Sequence, residues 1–231
     1  FLKSLLFSLL IVSSFLSLAQ NTSTTNVSEQ KPNTKNTILV VGDSLSAEYG
    51  LQRGTGWVPL LEKKLISKQL EYSISNQSIS GDTSFGGKAR FKTALEKTKP
   101  SIVILELGAN DALRGLDLKQ TKSNLAYMID LALEQKAKVL LLGVQMPPNY
   151  GPQYAKQFAA IYPELAKEKK IAVVPFFLKG VADISDITQY IQADRLHPNE
   201  AAQPIILNNI WPQLLPLLQK NKASSPPKKA S

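Results

Sequence analysis

The chain reads as a three-layer α/β/α protein built on a central parallel sheet. Four short apolar runs rich in β-branched residues carry that reading: Thr37–Gly42 (TILVVG), Ser101–Leu107 (SIVILEL), Lys138–Val144 (KVLLLGV) and Ile171–Phe176 (IAVVPF). Runs that are apolar on every side belong to strands covered on both faces. Between them lie stretches of ten residues or more with apolar side chains at helical spacing, the alternation that gives parallel sheets. No internal repeat interrupts it.

Each element follows from its own pattern. Thr37–Gly42 is the first strand, ending in Gly. Trp57, Leu60, Leu61, Leu65 and Ile66, with Glu62, Lys63 and Lys64 between them, predict an amphipathic helix from Trp57 to Leu70. Tyr72 to Asn76 is a weaker strand. Gly87 to Lys97 is helical and stops before Pro100, because the residue preceding a proline leaves the helical region. Ser101–Leu107 is a buried strand. Leu118 to Lys136 is a long helix with Leu125, Met128, Ile129 and Ala132 on one face. Lys138–Val144 is a strand, Tyr154 to Lys170 a helix interrupted near Pro163, and Ile171–Phe176 the last strand. Asn199 to Leu218 closes the fold as a helix kinked or broken at Pro204 and Pro212.

The ends differ from this core. Residues 1–19 place one Lys before a long apolar run, with Ser17 and Ala19 at the positions of a cleavage site; they predict a secretory signal and a periplasmic or secreted protein. Residues 20–36 are Asn, Thr, Ser and Lys, a flexible leader that cannot bury enough surface to fold. Residues 220–231 form a basic tail of the same kind. Residues 37–219 remain as one domain. The formal charge is +9, yet residues 1–36 and the tail hold seven of the 27 basic residues and one of the 18 acidic ones. The core is therefore only slightly basic, which argues against nucleic-acid binding. With no cysteine and a single histidine, thiolate zinc sites, disulfides and Cys nucleophiles are excluded. No metal or other cofactor is expected, since no HExxH, GxGxxG or Walker-type loop is present.

Ligands of parallel α/β sheets bind beyond the carboxyl ends of the strands, so the segments there carry the functional reading. Ser44 lies in Gly42-Asp43-Ser44-Leu45-Ser46, directly after the first strand. Its hydroxyl can be a nucleophile if a base activates it, and its N–H can face an oxyanion. A Ser in this place also serves as a helix N-cap. The lone imidazole, His197, lies in Asp194-Arg195-Leu196-His197-Pro198. A turn there folds the Asp194 carboxylate onto Nδ1 and leaves Nε2 for Ser44. Pro198 limits His197 to extended backbone and can begin the next helix. Asn110, in Gly108-Ala109-Asn110-Asp111, offers a side-chain N–H to an oxyanion or closes an Asx-turn. Gly81, after Ser80, lets its N–H approach a bound oxygen closely. Together Ser44, Gly81, Asn110, Asp194 and His197 supply every role that acyl transfer requires.

Those residues form four blocks: Ser44 in GDSLS, Gly81 in SISGDTS, Asn110 in GAND and His197 in DRLHP. The set resembles the SGNH, or GDSL, hydrolase family. The stretches GDSLSAEYG, LELGANDALRG, PPNYG and HPNEAAQP resemble its bacterial periplasmic thioesterases, lysophospholipases and arylesterases. The resemblance runs from about Ile38 to Leu218. It implies a flavodoxin-like α/β/α fold, Ser44 as nucleophile, and an Asp194–His197 pair behind it. It also implies an oxyanion hole from the N–H groups of Ser44 and Gly81 and the Asn110 side chain. The substrates it implies are acyl thioesters, lysophospholipids and aryl or short-chain esters.

For the substrate, the loops Ala112–Leu116 and Met146–Tyr154 offer Leu113, Leu116, Met146, Pro147 and Tyr150 as apolar lining, with Arg114 for a phosphate or carboxylate. A monomer acting on small-molecule substrates is expected, without membrane insertion once the signal is removed. The alternatives are a carbohydrate O-acetylesterase on the same blocks and a non-catalytic binding module, which has no use for Asp194 three residues before the only His.

Overall fold

A computed structural model describes residues 36–146 and 150–218. The segments read as signal, leader and basic tail lie outside the described residues, save Asn36, which opens the first strand. Among the described residues five strands form one sheet: β1 (Asn36–Gly42), β2 (Tyr72–Asn76), β3 (Ile102–Glu106), β4 (Lys138–Leu142) and β5 (Ala172–Val174). Their order is β2-β1-β3-β4-β5 and every pair is parallel. In register, Val40 lies between Asn76 and Ile104, and Gly42 sits beside Glu106. That order is the flavodoxin-like one, with its switch point between β1 and β3.

Among the described residues there are six α-helices: α1 (Trp57–Ser67), α2 (Ser84–Thr98), α3 (Ala109–Leu113), α4 (Leu118–Glu134), α5 (Pro152–Lys169) and α6 (Gln203–Leu218). Helix α1 packs on α6, whereas α2, α4 and α5 pack side by side as a second layer. The central strands are apolar on both sides because both sides are covered. Ile38 to Val41 and Val103 to Leu105 have no exposed surface. Each helix turns one stripe inward: Trp57, Val58, Leu61 and Leu65 from α1, and Leu125, Met128, Ile129 and Ala132 from α4.

Several expectations need correction. Helix α2 starts at Ser84, three residues before Gly87, because Thr83 caps it: its Oγ1 accepts from Gly86 N at 3.2 Å. Helix α5 runs unbroken through Pro163. A helical proline costs about 3 kcal/mol, but Phe158, Ile161, Tyr162 and Leu165 are buried on either side of it and hold the segment in place. Pro204 lies in the first turn of α6, where its missing N–H costs nothing, and Pro212 does not end the helix. Residues 109–113, expected as loop, form the short helix α3.

Candidate active site

The first strand delivers Asp43 and Ser44 to the carboxyl edge of the sheet. Ser46 and Ala47 donate their N–H groups to Asp43 O at 3.2 and 3.0 Å, so the chain turns sharply after Gly42. The turn leads to no helix: α1 begins only at Trp57, so Ser44 is not an N-cap. Its Oγ lies 2.9 Å from His197 Nε2, and His197 Nδ1 lies 2.6 Å from Asp194 Oδ2. Asp194 Oδ1 also accepts from the N–H groups of Leu196 (2.9 Å) and His197 (3.0 Å). One carboxylate thus folds the loop and orients the ring. Slight burial pushes the Asp194 carboxyl up. The hydrogen bonds from His197 N–H, the His197 ring and Leu196 N–H outweigh that and hold it down at about 2.

The base-bearing loop is fastened to the loop carrying Ser44. Gln192 Nε2 donates to Tyr49 O and to Pro198 O, both at 2.9 Å. The Tyr49 ring lies against the imidazole, with centroids 4.3 Å apart. Pro198 does not begin the next helix. It pairs with Ile191 in an antiparallel bridge, and the 3-10 turn Glu200–Ala202 starts after Asn199, whose Oδ1 accepts from Ala202 N at 3.3 Å.

Gly81 takes φ +80°, a backbone state that a side chain would strain. The N–H groups of Ser44 and Gly81 have no acceptor among the described residues, and both residues line the same cavity. Arg90 stiffens the Gly81 loop from behind: Nε and Nη2 bind Asp82 Oδ2 at 2.9 and 2.7 Å, and Nη1 binds Gln77 O. Asn110, on α3, stands opposite. Its Nδ2 donates to Asp43 Oδ2 at 3.1 Å and to Asp82 O at 3.0 Å, so in the free protein both amide hydrogens are engaged. Gly108 opens α3 at φ +117°, and a Cβ there would stand 2.8 Å from Tyr162 Oη.

Beneath Ser44 lie two fully buried carboxyls, Asp43 and Glu106. Burial pushes Glu106 well above the usual carboxylate range, and the facing Asp43 pushes it further. Burial raises Asp43 as well, against the hydrogen bonds it accepts from Leu45 N–H and Asn110.

A cavity of about 800 Å³ opens beside Ser44 and His197. Leu113 and Met146 line it, as their loops predict. Leu116 and Tyr150 do not; they are exposed. Arg114 is not among the lining residues either, because its Nη2 donates to Gly81 O at 2.8 Å and braces that loop. Pro147 lies outside the described residues. The main apolar wall comes from Phe176, expected as the end of the last strand, and from a segment without a predicted element: Leu178, Ala182, Ile184, Ile187 and Ile191. The signal available was a run of apolar residues after the last strand with neither helical nor strand period.

A Ser–His–Asp row at the carboxyl edge of a flavodoxin-like sheet, beside an apolar cavity, marks a hydrolase of the acyl-transfer class. The chain belongs to the GDSL-like Lipase/Acylhydrolase family, whose pattern it matches over residues 40–204. It is 51% identical over 182 residues to Esterase TesA of Pseudomonas aeruginosa, across 79% of this chain and 89% of that protein. It is 41% identical to the Thioesterase 1/protease 1/lysophospholipase L1 of Escherichia coli (strain K12), across 79% and 85%. The crystal structure of TesA superposes with a TM-score of 0.76 at 50% identity, covering 79% of this chain and 99% of that one. The protein is therefore an enzyme that hydrolyses carboxylic ester and thioester bonds in small-molecule substrates.

Proposed function

We propose that hydrolysis proceeds by two-step acyl transfer through Ser44. The observation that carries this is the unbroken chain of short contacts from Ser44 Oγ to His197 Nε2 and from His197 Nδ1 to Asp194. His197 takes the hydroxyl proton as Ser44 attacks the carbonyl carbon, and Asp194 stabilises the imidazolium that forms. The N–H groups of Ser44 and Gly81 and the Asn110 amide receive the developing oxyanion, Asn110 by yielding one of its two resting bonds. His197 then protonates the leaving alkoxide or thiolate. In the second step it deprotonates water, which attacks the acyl-enzyme and frees the acid and Ser44.

The acyl chain lies along Leu178, Ile184, Ile187 and Ile191. Each buried methylene contributes about 0.8 kcal/mol, so medium and long acyl groups gain most. Lysophospholipids and acyl thioesters have such chains. An acetyl group on a sugar does not use this wall, which disfavours the carbohydrate O-acetylesterase alternative. Export to the periplasm, and a monomeric state, complete the proposal; among the described residues no helix is long and apolar enough to cross a membrane.

The test is a panel of nitrophenyl esters and acyl thioesters of increasing chain length, with Ser44→Ala as control and a fluorophosphonate probe followed by mass. Rates rise with chain length, the probe adds once at Ser44, and Ser44→Ala folds but loses on the order of 10³-fold or more in kcat. Full activity in that variant, or a preference confined to acetyl, refutes the proposal.

A further inference from the structure

The acyl-transfer chemistry leaves unused the two fully buried acids beneath Ser44. Glu106 is the last residue of β3 and Asp43 follows the last residue of β1, so the register sets them side by side. Glu106 Oε2 accepts two hydrogen bonds, from Ser46 Oγ (2.7 Å) and from Asp43 N (3.2 Å). Its Oε1 is buried and receives no donor. Asp43 spends Oδ1 on Leu45 N at 3.0 Å and Oδ2 on Asn110 Nδ2 at 3.1 Å. The two carboxyls are adjacent and fully buried, a place where two carboxylate anions would repel each other without solvent to screen them. One proton has to sit between them. An oxygen already accepting twice is the carbonyl end of a carboxylic acid, and an oxygen without a donor is its O–H end. That pattern puts the proton on Glu106 Oε1.

We propose that Glu106 is a positioning residue which, as a neutral carboxylic acid, donates to the Asp43 carboxylate and so holds that carboxylate against the Asn110 amide of the oxyanion hole. The chain of command runs from Glu106 to Asp43 to Asn110, and Glu106 touches no substrate. Ser46 and the Asp43 N–H fix the acid, so the same contacts also set the turn that presents Ser44. The inference rests on Asn110 serving as an oxyanion donor.

The groups facing the pair are few. Asp82, on the loop after β2, acts on Asp43 and is itself paired with Arg90. Tyr162, on α5, donates to Leu107 O at 3.2 Å and feels both acids. Ser46 and Asn110 complete the surroundings. Among the described residues no basic side chain is bonded to either acid, so a neutral Glu106 is what burial favours. The sign follows from linkage. Glu106 ionises higher in the folded state than its ordinary 4.5, so folding stability falls as the pH rises above that value and continues to fall until the folded acid itself ionises.

Glu106→Gln, Glu106→Met and Asn110→Ala, beside the wild-type protein, test the proposal by thermal unfolding from about pH 5 to about pH 9 and by kcat and KM on a short-chain nitrophenyl ester. Gln offers an N–H where the O–H was and keeps the accepting oxygen, but does not titrate. The Gln variant keeps kcat within about threefold and loses less Tm than the wild type as the pH rises. Met keeps the volume and makes neither bond. It lowers kcat by about tenfold or more with KM near the wild-type value, a defect that Gln rescues. A folded Met variant with wild-type kcat overturns the proposal, as does a Gln variant with undiminished pH dependence or with the Met variant's slow rate. If Met prevents folding, the two Gln readouts decide. Asn110→Ala separates the two readings. A loss of kcat there without one in Glu106→Met sinks this proposal alone, and no loss there sinks the oxyanion role beneath it.

Discussion

Asp194→Asn isolates what the carboxylate does for the imidazole. In the wild type, Oδ1 accepts two backbone N–H groups and Oδ2 faces His197 Nδ1 at 2.6 Å. An asparagine can keep the backbone bonds through its own oxygen, so the loop stays folded. Its NH₂ then occupies the place of Oδ2 and donates to Nδ1. The ring proton moves to Nε2, 2.9 Å from Ser44 Oγ, and the atom that must accept the serine proton now carries one. A wrong tautomer of this kind costs about 10³–10⁴ in kcat, or about 4–5.5 kcal/mol. Stability changes little near neutral pH. The Asp194 carboxyl sits at about 2 in the folded protein, against an ordinary 3.8. Its contribution is therefore present above the ordinary value and lost as the pH falls through the folded one. The Asn variant lacks that acid limb, a modest effect because the side chain is 39% exposed and solvent screens it. The assay is kcat on a chromogenic ester beside thermal unfolding at neutral and acid pH. A folded Asn variant within about tenfold of wild-type kcat would refute the tautomer argument.

Three further outcomes follow from other contacts. Asn110→Ala loses about 10²–10³ in kcat with KM nearly unchanged, measured by steady-state kinetics. Gly108→Ala forces a side chain into φ +117° and within 2.8 Å of Tyr162 Oη; at about 2 kcal/mol, calorimetry finds Tm lower by about 4–8 °C. Ile187→Trp fills the apolar wall: removing room for two methylenes costs about 1.6 kcal/mol, so the ratio of long-chain to acetyl ester kcat/KM falls roughly fifteenfold.

The sheet and the row of contacts from Ser44 through His197 to Asp194 were legible because their signals are local. Buried parallel strands must be apolar throughout, and SIVILEL or KVLLLGV has no other comfortable home. Asp194 and His197 share one turn, and a single imidazole leaves one choice of base. What escaped was decided by distant partners. Pro163 stays helical because residues on both sides of it are buried. Pro198 pairs with Ile191 instead of opening a helix. Arg114, expected to meet a substrate anion, is taken by Gly81 O, which no spacing reveals. The acyl wall from Phe176 to Ile191 has no period because it follows the contour of a cavity. Glu106 was visible as the one charged residue inside an apolar strand, but its partner lies 63 residues away.

Ser44 and His197 are separated by 153 residues, the one in the turn after the first strand, the other just before the final helix. Closing so long a loop is entropically unfavourable until the intervening sheet has formed. With Ser44 as the proposed nucleophile, a partly assembled chain carries an ordinary, unreactive alcohol. Esterolytic competence switches on only with completion of the native topology, so turnover itself serves as a gauge of how much of a preparation has finished folding, and the unfinished protein is harmless to any ester it meets.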